Sequence, residues 1–223
     1  MPQPDRHQLV RDYVLDLYGR DPFAGVYEAS ERHRDEHGCD VYPSNPLSMR
    51  LLCVLVAALA PRRVLEVGAG LGYSALHLAS AAGADVRLDT VERDPGHAEA
   101  ARRHIAAAGL AKRVTVHTGA ADAVLASLEG PYDLVYDDAW FMEEPAHLPR
   151  AVELLRTGGL MVTSNWFPLA NAVAGGGEID WAAQYGPDWA QRIQGYARKL
   201  ASHPQLRVAF TLDPWKGFAV KTA

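Results

Sequence analysis

Three glycines at alternating positions, Gly68, Gly70 and Gly72, follow the run Val64-Leu65-Glu66-Val67 and precede Tyr73 and Ser74 in a chain of 223 residues. A short β-branched run, then glycines, then helix-forming residues reads as strand, loop and helix. Glycines in such a loop let the backbone take positive φ and come close to a ligand. Farther on, Thr90-Val91-Glu92-Arg93 closes the next strand, with Glu92 twenty residues after Gly72. A carboxylate there can accept hydrogen bonds from both hydroxyls of a ribose. Together the loop and Glu92 point to a nucleoside-bearing cofactor and do not require a pyrophosphate. The dinucleotide fingerprint needs glycine at position 73, and Tyr73 disfavours a nicotinamide cofactor. The bland reading is a tight turn and a surface glutamate. Glu66 is a candidate partner for the loop's backbone N–H groups.

Other residues could do chemistry. Asp137 and Asp138 are adjacent on a strand, so their side chains start on opposite faces, and Asp137 reads as a salt-bridged strand-end carboxylate. His147, Glu143 and Glu144 are all candidates for a base, and nothing in the pattern selects one. Trp140 and Trp166 suit either an aromatic pocket or ordinary packing. His33-Arg34-Asp35-Glu36-His37 matches HxxEH, which would put both histidines on one helical face, but the motif lacks its catalytic context. His77, His97, His104 and His117 show no mutual ligand spacing, and Arg102-Arg103 reads as a solvated helix face.

The elements that must position these groups alternate. Strands are expected at 63–67, 85–92, 113–117, 132–137 and 160–163, with helices at 51–60, 74–82, 95–108, 121–128 and 149–156. Asp94 can cap the third of these helices, with Pro95 at its first position and Gly109 just past its end. Gly158-Gly159 is expected to stop the last. This rhythm argues for a mostly parallel sheet with helices on both faces. Residues 168–180 read as a mobile Gly/Ala-rich loop, and Trp189, Ile193, Tyr196 and Leu200 as one face of a helix capped by Asp188. Strands at 206–212 and 218–221 should pair antiparallel, given the short connection. The first forty residues read as short charged helices interrupted at Pro22 and Gly25.

Composition sets limits. A net charge of −5 gives no reason to expect nucleic acid or an anionic membrane as partner. Two cysteines without a CxxC exclude a disulfide scaffold and a zinc ribbon. The apolar run 51–60 is too short to span a membrane, and no secretory signal is visible, so a reduced cytoplasmic protein of one domain is expected. The basic residues are 18 Arg and only 4 Lys.

At these motifs the chain resembles the class I S-adenosylmethionine-dependent methyltransferases, and more closely the small O-methyltransferases of the catechol and caffeoyl-CoA type. The resemblance runs over residues 41–223, through VLEVGAGLGYSALHLA, TVERDPGHAEAARRHIAAAGL, RVTVHTGAADAVLASL, YDLVYDDAW and LLRTGGLMVTSNW to HPQLRVAFTLDPWKGFAVKTA. It implies a doubly wound, Rossmann-like sheet, mostly parallel with an antiparallel C-terminal strand, beneath an N-terminal helical cover formed by residues 1–40. It implies that Gly68, Gly70, Tyr73 and Ser74 surround the methionine part of S-adenosylmethionine, with Asp138 near its amino group and Glu66 and Ala69 also among the cofactor-binding residues. Glu92 and Arg93 would lie at the ribose, Gly119-Ala120-Ala121 beside the adenine, and Val41 in the segment that closes over the cofactor. Asp138 would stand at the reacting centre, under a roof of N-terminal helices and a loop near 166–187.

Metal-dependent members of this family bind a divalent cation through two aspartates and an asparagine, with a lysine near the first aspartate. Here Asp138 and Asn165 match the first and third ligands, Ser164 replaces the second, and Phe141 stands at the lysine position. A Gly-Asp-Gly turn usual near the C-terminus appears as Trp215-Lys216-Gly217. The resemblance thus implies methyl transfer to a hydroxyl of a small, phenolic or catechol-like molecule, with magnesium binding weakened or lost. It also implies pairing of two copies through surface helices. The rival readings are a cofactor-binding partner without methyl transfer, an N- or C-methyltransferase, and a nicotinamide-dependent oxidoreductase.

Overall fold

The computed structural model of the chain describes residues 6–139, 144–177, 179–212 and 215–223. Seven strands form one sheet in the order β3-β2-β1-β4-β5-β7-β6. They are β1 (Arg63–Val67), β2 (Arg87–Glu92), β3 (Val114–Thr118), β4 (Tyr132–Asp137), β5 (Leu155–Thr163), β6 (Leu206–Leu212) and β7 (Trp215–Lys221). The first five run parallel, and β7 pairs antiparallel with both β5 and β6. From β1 the chain builds outward first through β2 and β3, then on the other side through β4 and β5. Such a reversal opens a crevice at the carboxyl ends of β1 and β4, where open α/β sheets bind ligands.

Each face of the sheet buries its own apolar layer. Val64, Leu88, Leu134, Tyr136 and Val162 pack on one side with α3 (Pro46–Leu59), α4 (Tyr73–Ala81) and α5 (Pro95–Ala107). Leu65, Val67, Val135 and Met161 pack on the other with α7 (Leu148–Leu154) and α10 (Trp189–Ala201), and α6 (Ala121–Ser127) adds Leu125. This alternation along each strand follows from a pleat of period two. Asn45 caps α3 by accepting from Leu47 and Ser48 N–H, so this helix starts earlier than its apolar run suggests. Asp94 caps α5 as its sequence predicts.

Several boundaries differ from expectation. The helix expected over 149–156 ends at Leu154, and β5 passes through Gly158-Gly159, which were expected to stop the helix. Tyr132 already pairs with Leu155, and a register shift before Leu134 absorbs the irregular stretch. The Gly/Ala-rich segment contains α8 (Pro168–Ala174), started by Pro168, before Gly175. After it α9 (Trp181–Tyr185) is capped by Asp180. Asp188 makes no side-chain cap on α10 and instead lies 3.5 Å from Arg192. Gly25 does not interrupt the second helix, α2 (Ala24–His37), which stops only at left-handed Gly38. Trp215-Lys216-Gly217 is strand rather than turn.

The N-terminal cover is α2. Phe23, Val26 and Tyr27 pack on the α3–α5 side, whereas α1 (Arg6–Leu17) leaves Leu9, Val10, Tyr13 and Leu17 exposed. No helix among the described residues is long and apolar enough to cross a membrane.

Gly72 ties this packing to the loop. It has φ +95°, and a Cβ there would lie 3.3 Å from Ala101 of α5. Gly83 has a similar φ of +92° with nothing within 4 Å. Gly83→Ala should therefore cost only the left-handed penalty, about 1 kcal/mol, and Gly72→Ala roughly twice that, because α5 must also move. Urea denaturation of both variants measures the difference, and equal losses would show that close packing at Gly72 contributes nothing.

Candidate functional site

The glycine loop spends its backbone donors internally. Gly68 and Ala69 N–H both donate to the Val91 carbonyl, at 2.9 and 3.0 Å. Gly70 N–H donates to Glu92 Oε2 at 2.8 Å, and Asp94 N–H to Glu92 Oε1 at 2.9 Å. The loop N–H groups therefore bond to β2 and to Glu92, not to Glu66 as its place in the sequence suggested. With these donors occupied, the loop is a poor cradle for a pyrophosphate, which needs outward-pointing N–H groups.

Carboxylates dominate the crevice. Glu66 is fully buried at the centre of β1. Its Oε2 accepts from Thr90 Oγ1 at 2.5 Å, and Oε1 has no hydrogen-bond partner among the described residues. Burial pushes the Glu66 carboxyl up to about 7, and the charges of Asp138 and Glu92 push in the same direction. Three carboxyl groups from β1, β2 and the end of β4 thus face one crevice. Gly68 keeps it narrow: with φ +99°, a Cβ there would meet the Asp138 carbonyl carbon at 3.1 Å. A ligand with positive charge and vicinal hydroxyls suits this donor set, and the unpartnered Glu66 oxygen is an acceptor awaiting a donor. The implied S-adenosylmethionine, with a sulfonium, an ammonium and a ribose, has those features. Its fit to the residues present is good.

Asp138 sits in a different company. Its Oδ2 accepts from Ser44 Oγ at 2.8 Å and from Tyr136 Oη at 3.1 Å. Tyr136 Oη also lies 2.9 Å from Ser164 Oγ, and Lys216 Nζ donates to both hydroxyls, 3.2 Å from Tyr136 and at short range to Ser164. Burial holds the Lys216 amine below the usual lysine range, against the pull of Asp138. Asn165, at φ +62°, turns its amide toward the Asp138 carbonyl at 3.4 Å. A hard divalent cation wants several free oxygen ligands, mostly anionic. Here Ser164 offers a neutral hydroxyl already bonded to an amine, and Asp138 is the one carboxylate of the three matched positions. Magnesium does not fit these residues. Lys216 was missed at the sequence level; the replacement of the Gly-Asp-Gly turn, beside the loss of the second aspartate, was the available signal.

The remaining candidates are distributed as follows. Val41 is buried, and its Cγ1 would lie 3.7 Å from a Cβ at Gly70, so it closes over the loop. Tyr73 turns its hydroxyl to Asp21, which also reaches His77 at 3.2 Å; its side chain joins cover to core instead of facing the crevice. Arg93 is exposed, and Gly119-Ala120-Ala121 leads from β3 into α6, with Gly119 N–H donating to the Glu92 carbonyl at 2.9 Å. His147 Nε2 lies 3.1 Å from both Asp137 oxygens in a buried pair, on the face opposite Asp138. Glu144 pairs with Lys199 at 2.6 Å. Neither is thereby presented to Asp138 as a base. Trp166 is fully buried, stacked on Tyr196 and bonded to Thr163, so it is core and not pocket wall. Trp140, Phe141 and Glu143 lie outside the described residues. In the HxxEH stretch the His33 and His37 rings stack at 4.2 Å, yet the ligand atoms that gather within 4.8 Å are those of His33, Cys39 and His97. That grouping crosses from α2 to α5, which linear spacing does not reveal.

Comparisons with known proteins bear on the family and the fold. Residues 44–211 match the family model described as O-methyltransferase. A protein of Mycobacterium tuberculosis named catechol O-methyltransferase is 40% identical over 176 residues, covering 77% of this chain and 76% of its own. Among solved structures, cofactor-bound Rv0187 from MTB superposes with a TM-score of 0.78 at 30% identity, covering 99% of each chain. The O-methyltransferase TomG from Streptomyces achromogenes, involved in tomaymycin synthesis and solved in complex with SAM, gives 0.78 at 26% identity over 100% of both chains.

The Glu66 carboxyl carries a stability consequence. Unfolded, it titrates near 4.5; folded, near 7. The folded state thus binds the extra proton between these values, and stability from this group is present below pH ~4.5 and lost as pH rises to ~7. Glu66→Gln should flatten that loss and stabilise the ligand-free protein at pH ~8 by on the order of 1–3 kcal/mol. Denaturant midpoints of both proteins at acidic and alkaline pH test this; parallel pH profiles would contradict it.

Proposed function

The chain belongs to the O-methyltransferase family, and on that footing we propose that it moves the methyl group of S-adenosylmethionine to a hydroxyl of a small phenolic or catechol-like molecule. The observation that carries the reading is the set of three carboxyl groups, Glu66, Glu92 and Asp138, around a glycine loop whose N–H groups are already used. This environment favours a cationic nucleoside and disfavours a dinucleotide. The relative named catechol O-methyltransferase supports the phenolic acceptor.

In this reading Glu92 holds the ribose hydroxyls, each carboxylate oxygen keeping acceptor capacity beyond its backbone bond. Glu66, Gly68, Ala69, Gly70, Ser74 and Asp138 surround the methionine portion, Gly119-Ala120-Ala121 borders the adenine, and Val41 shields the loop from water. Bound S-adenosylmethionine supplies an electrophilic methyl carbon on a positively charged sulfur. With the cofactor held by Glu66, Glu92 and Asp138, its methyl group would pass to the acceptor hydroxyl oxygen, leaving S-adenosylhomocysteine, and the hydroxyl would give its proton to solvent. Such a displacement depends chiefly on proximity and in-line orientation, which rigid strand ends provide.

Calorimetry should show S-adenosylmethionine binding that weakens about a hundredfold in Glu92→Ala, the loss of two hydrogen bonds to a charged group at ~1.5 kcal/mol each. Unchanged binding would refute the ribose assignment. Because a cationic ligand favours ionised Glu66, wild-type affinity should rise as pH increases through ~7 and binding should release protons, effects that Glu66→Gln removes. Formation of S-adenosylhomocysteine across a panel of phenols, catechols and amines tests the acceptor class; turnover of amines alone would overturn it.

A further inference from the structure

Ser164 and Lys216 both stand where this chain departs from the family's pattern, and the sheet brings the two together. Thr163 pairs with Gly217 in the antiparallel β5–β7 ladder, so one step farther along Ser164 comes opposite Lys216. Gly217 permits the approach, since a Cβ there would press on Thr163 Oγ1 at 2.5 Å and Trp166 Nε1 at 3.0 Å. Strand alternation puts Lys216 on the Phe218 side, the face that carries Tyr136 and Val162. The amine is thereby delivered, buried, onto Ser164 and Tyr136, and through Tyr136 it is coupled to Asp138. These are the strand ends across which metal-dependent relatives bind their cation.

We propose that the Lys216 amine is the resident cation of this site: it holds the ends of β4, β5 and β7 together in place of a divalent metal, and methyl transfer proceeds without one. Lys216 is a positioning residue here, acting through Tyr136, Ser164 and Asp138. Asp138 is the carboxylate of the cluster whose charge favours the protonated amine against burial, and the two are linked through Tyr136. A divalent ion would meet a like charge at hydrogen-bond range and would lack the second carboxylate. The acceptor is affected as well. With no ion to chelate two oxygens, a phenol with a single hydroxyl needs no neighbouring hydroxyl to bind. This extends the methyltransferase reading and rests on it for the acceptor, while the metal claim stands on the residues alone.

The test uses Mn2+ as the probe and the full chain. Wild-type protein, with and without S-adenosylhomocysteine, should show no saturable Mn2+ binding by electron paramagnetic resonance at millimolar ion. The paired variant Ser164→Asp with Lys216→Met should bind Mn2+ at least about tenfold more tightly than wild type. Lys216→Met alone should not bind it, because the second carboxylate is still missing. Wild-type turnover of a monohydroxylic phenol should be unchanged by EDTA. Stoichiometric Mn2+ binding by wild type, or activity lost with EDTA and restored by Mg2+, would overturn the proposal; these arms need no variant and hold even if the variants fold poorly. A wild-type chain that binds neither S-adenosylmethionine nor Mn2+ would refute the methyltransferase reading and leave the metal claim intact.

Discussion

The main-chain ladder that holds β1 between β2 and β4 positions nearly everything at the crevice. Because β1 pairs in parallel on both sides, its end, the end of β2 and the end of β4 stop at one level. The Val91 carbonyl then binds two successive loop N–H groups, and Asp138 N–H donates to the Val67 carbonyl at 2.9 Å. Glu66, Glu92 and Asp138 are brought together by this pairing and not by any attraction among themselves, since like charges repel. Backbone hydrogen bonding and apolar burial on both faces outweigh that repulsion, and part of its cost appears as the raised Glu66 carboxyl.

Charge is arranged differently on the two sides of Asp138. Toward β1 and β2 the charge is mainly negative, with His97 3.8 Å from Glu92 as the basic neighbour, which leaves an acidic crevice suited to a cation. Toward β5 and β7 the Lys216 amine and three hydroxyls, Ser44, Tyr136 and Ser164, form a closed network. A buried amine is tolerated only when its hydrogen bonds are made and a counter-charge is near, and both conditions are met here. On the reverse face Asp137 is hydrogen-bonded to His147, so the adjacent aspartates serve separate purposes.

Much of the fold was legible from residue patterns. The β1 and β4 runs, the cap-and-proline start of α5 at Asp94-Pro95 and the glycine loop each rest on local chemistry, which neighbours in the chain suffice to specify. The errors came where long-range pairing overrode a local signal. Gly158-Gly159 reads as a helix stop, but pairing with β4 begins before it. Gly25 reads as a break, but the break falls just before it, between Leu17 and Ala24, and packing of Phe23, Val26 and Tyr27 on the core starts α2 with Gly25 in its first turn. Trp166 reads equally as pocket wall or packing, and burial against Tyr196 and Phe210 decides for the core.

The sequence by itself determined the alternation of strand and helix, the loop, the carboxylates at the strand ends and the absence of the second aspartate and of the lysine near Asp138. The alternation, the loop and the carboxylates are properties of residue type and spacing along a short stretch, whereas the missing aspartate and lysine are read against the family the chain resembles. Only the tertiary structure decided what occupies the vacated position, because Ser164 and Lys216 lie 52 residues apart and meet through an antiparallel register. Residue type says that a lysine exists; strand pairing, the parity of the pleat and the room left by Gly217 decide that its amine ends on Ser164 and Tyr136, one hydrogen bond away from Asp138.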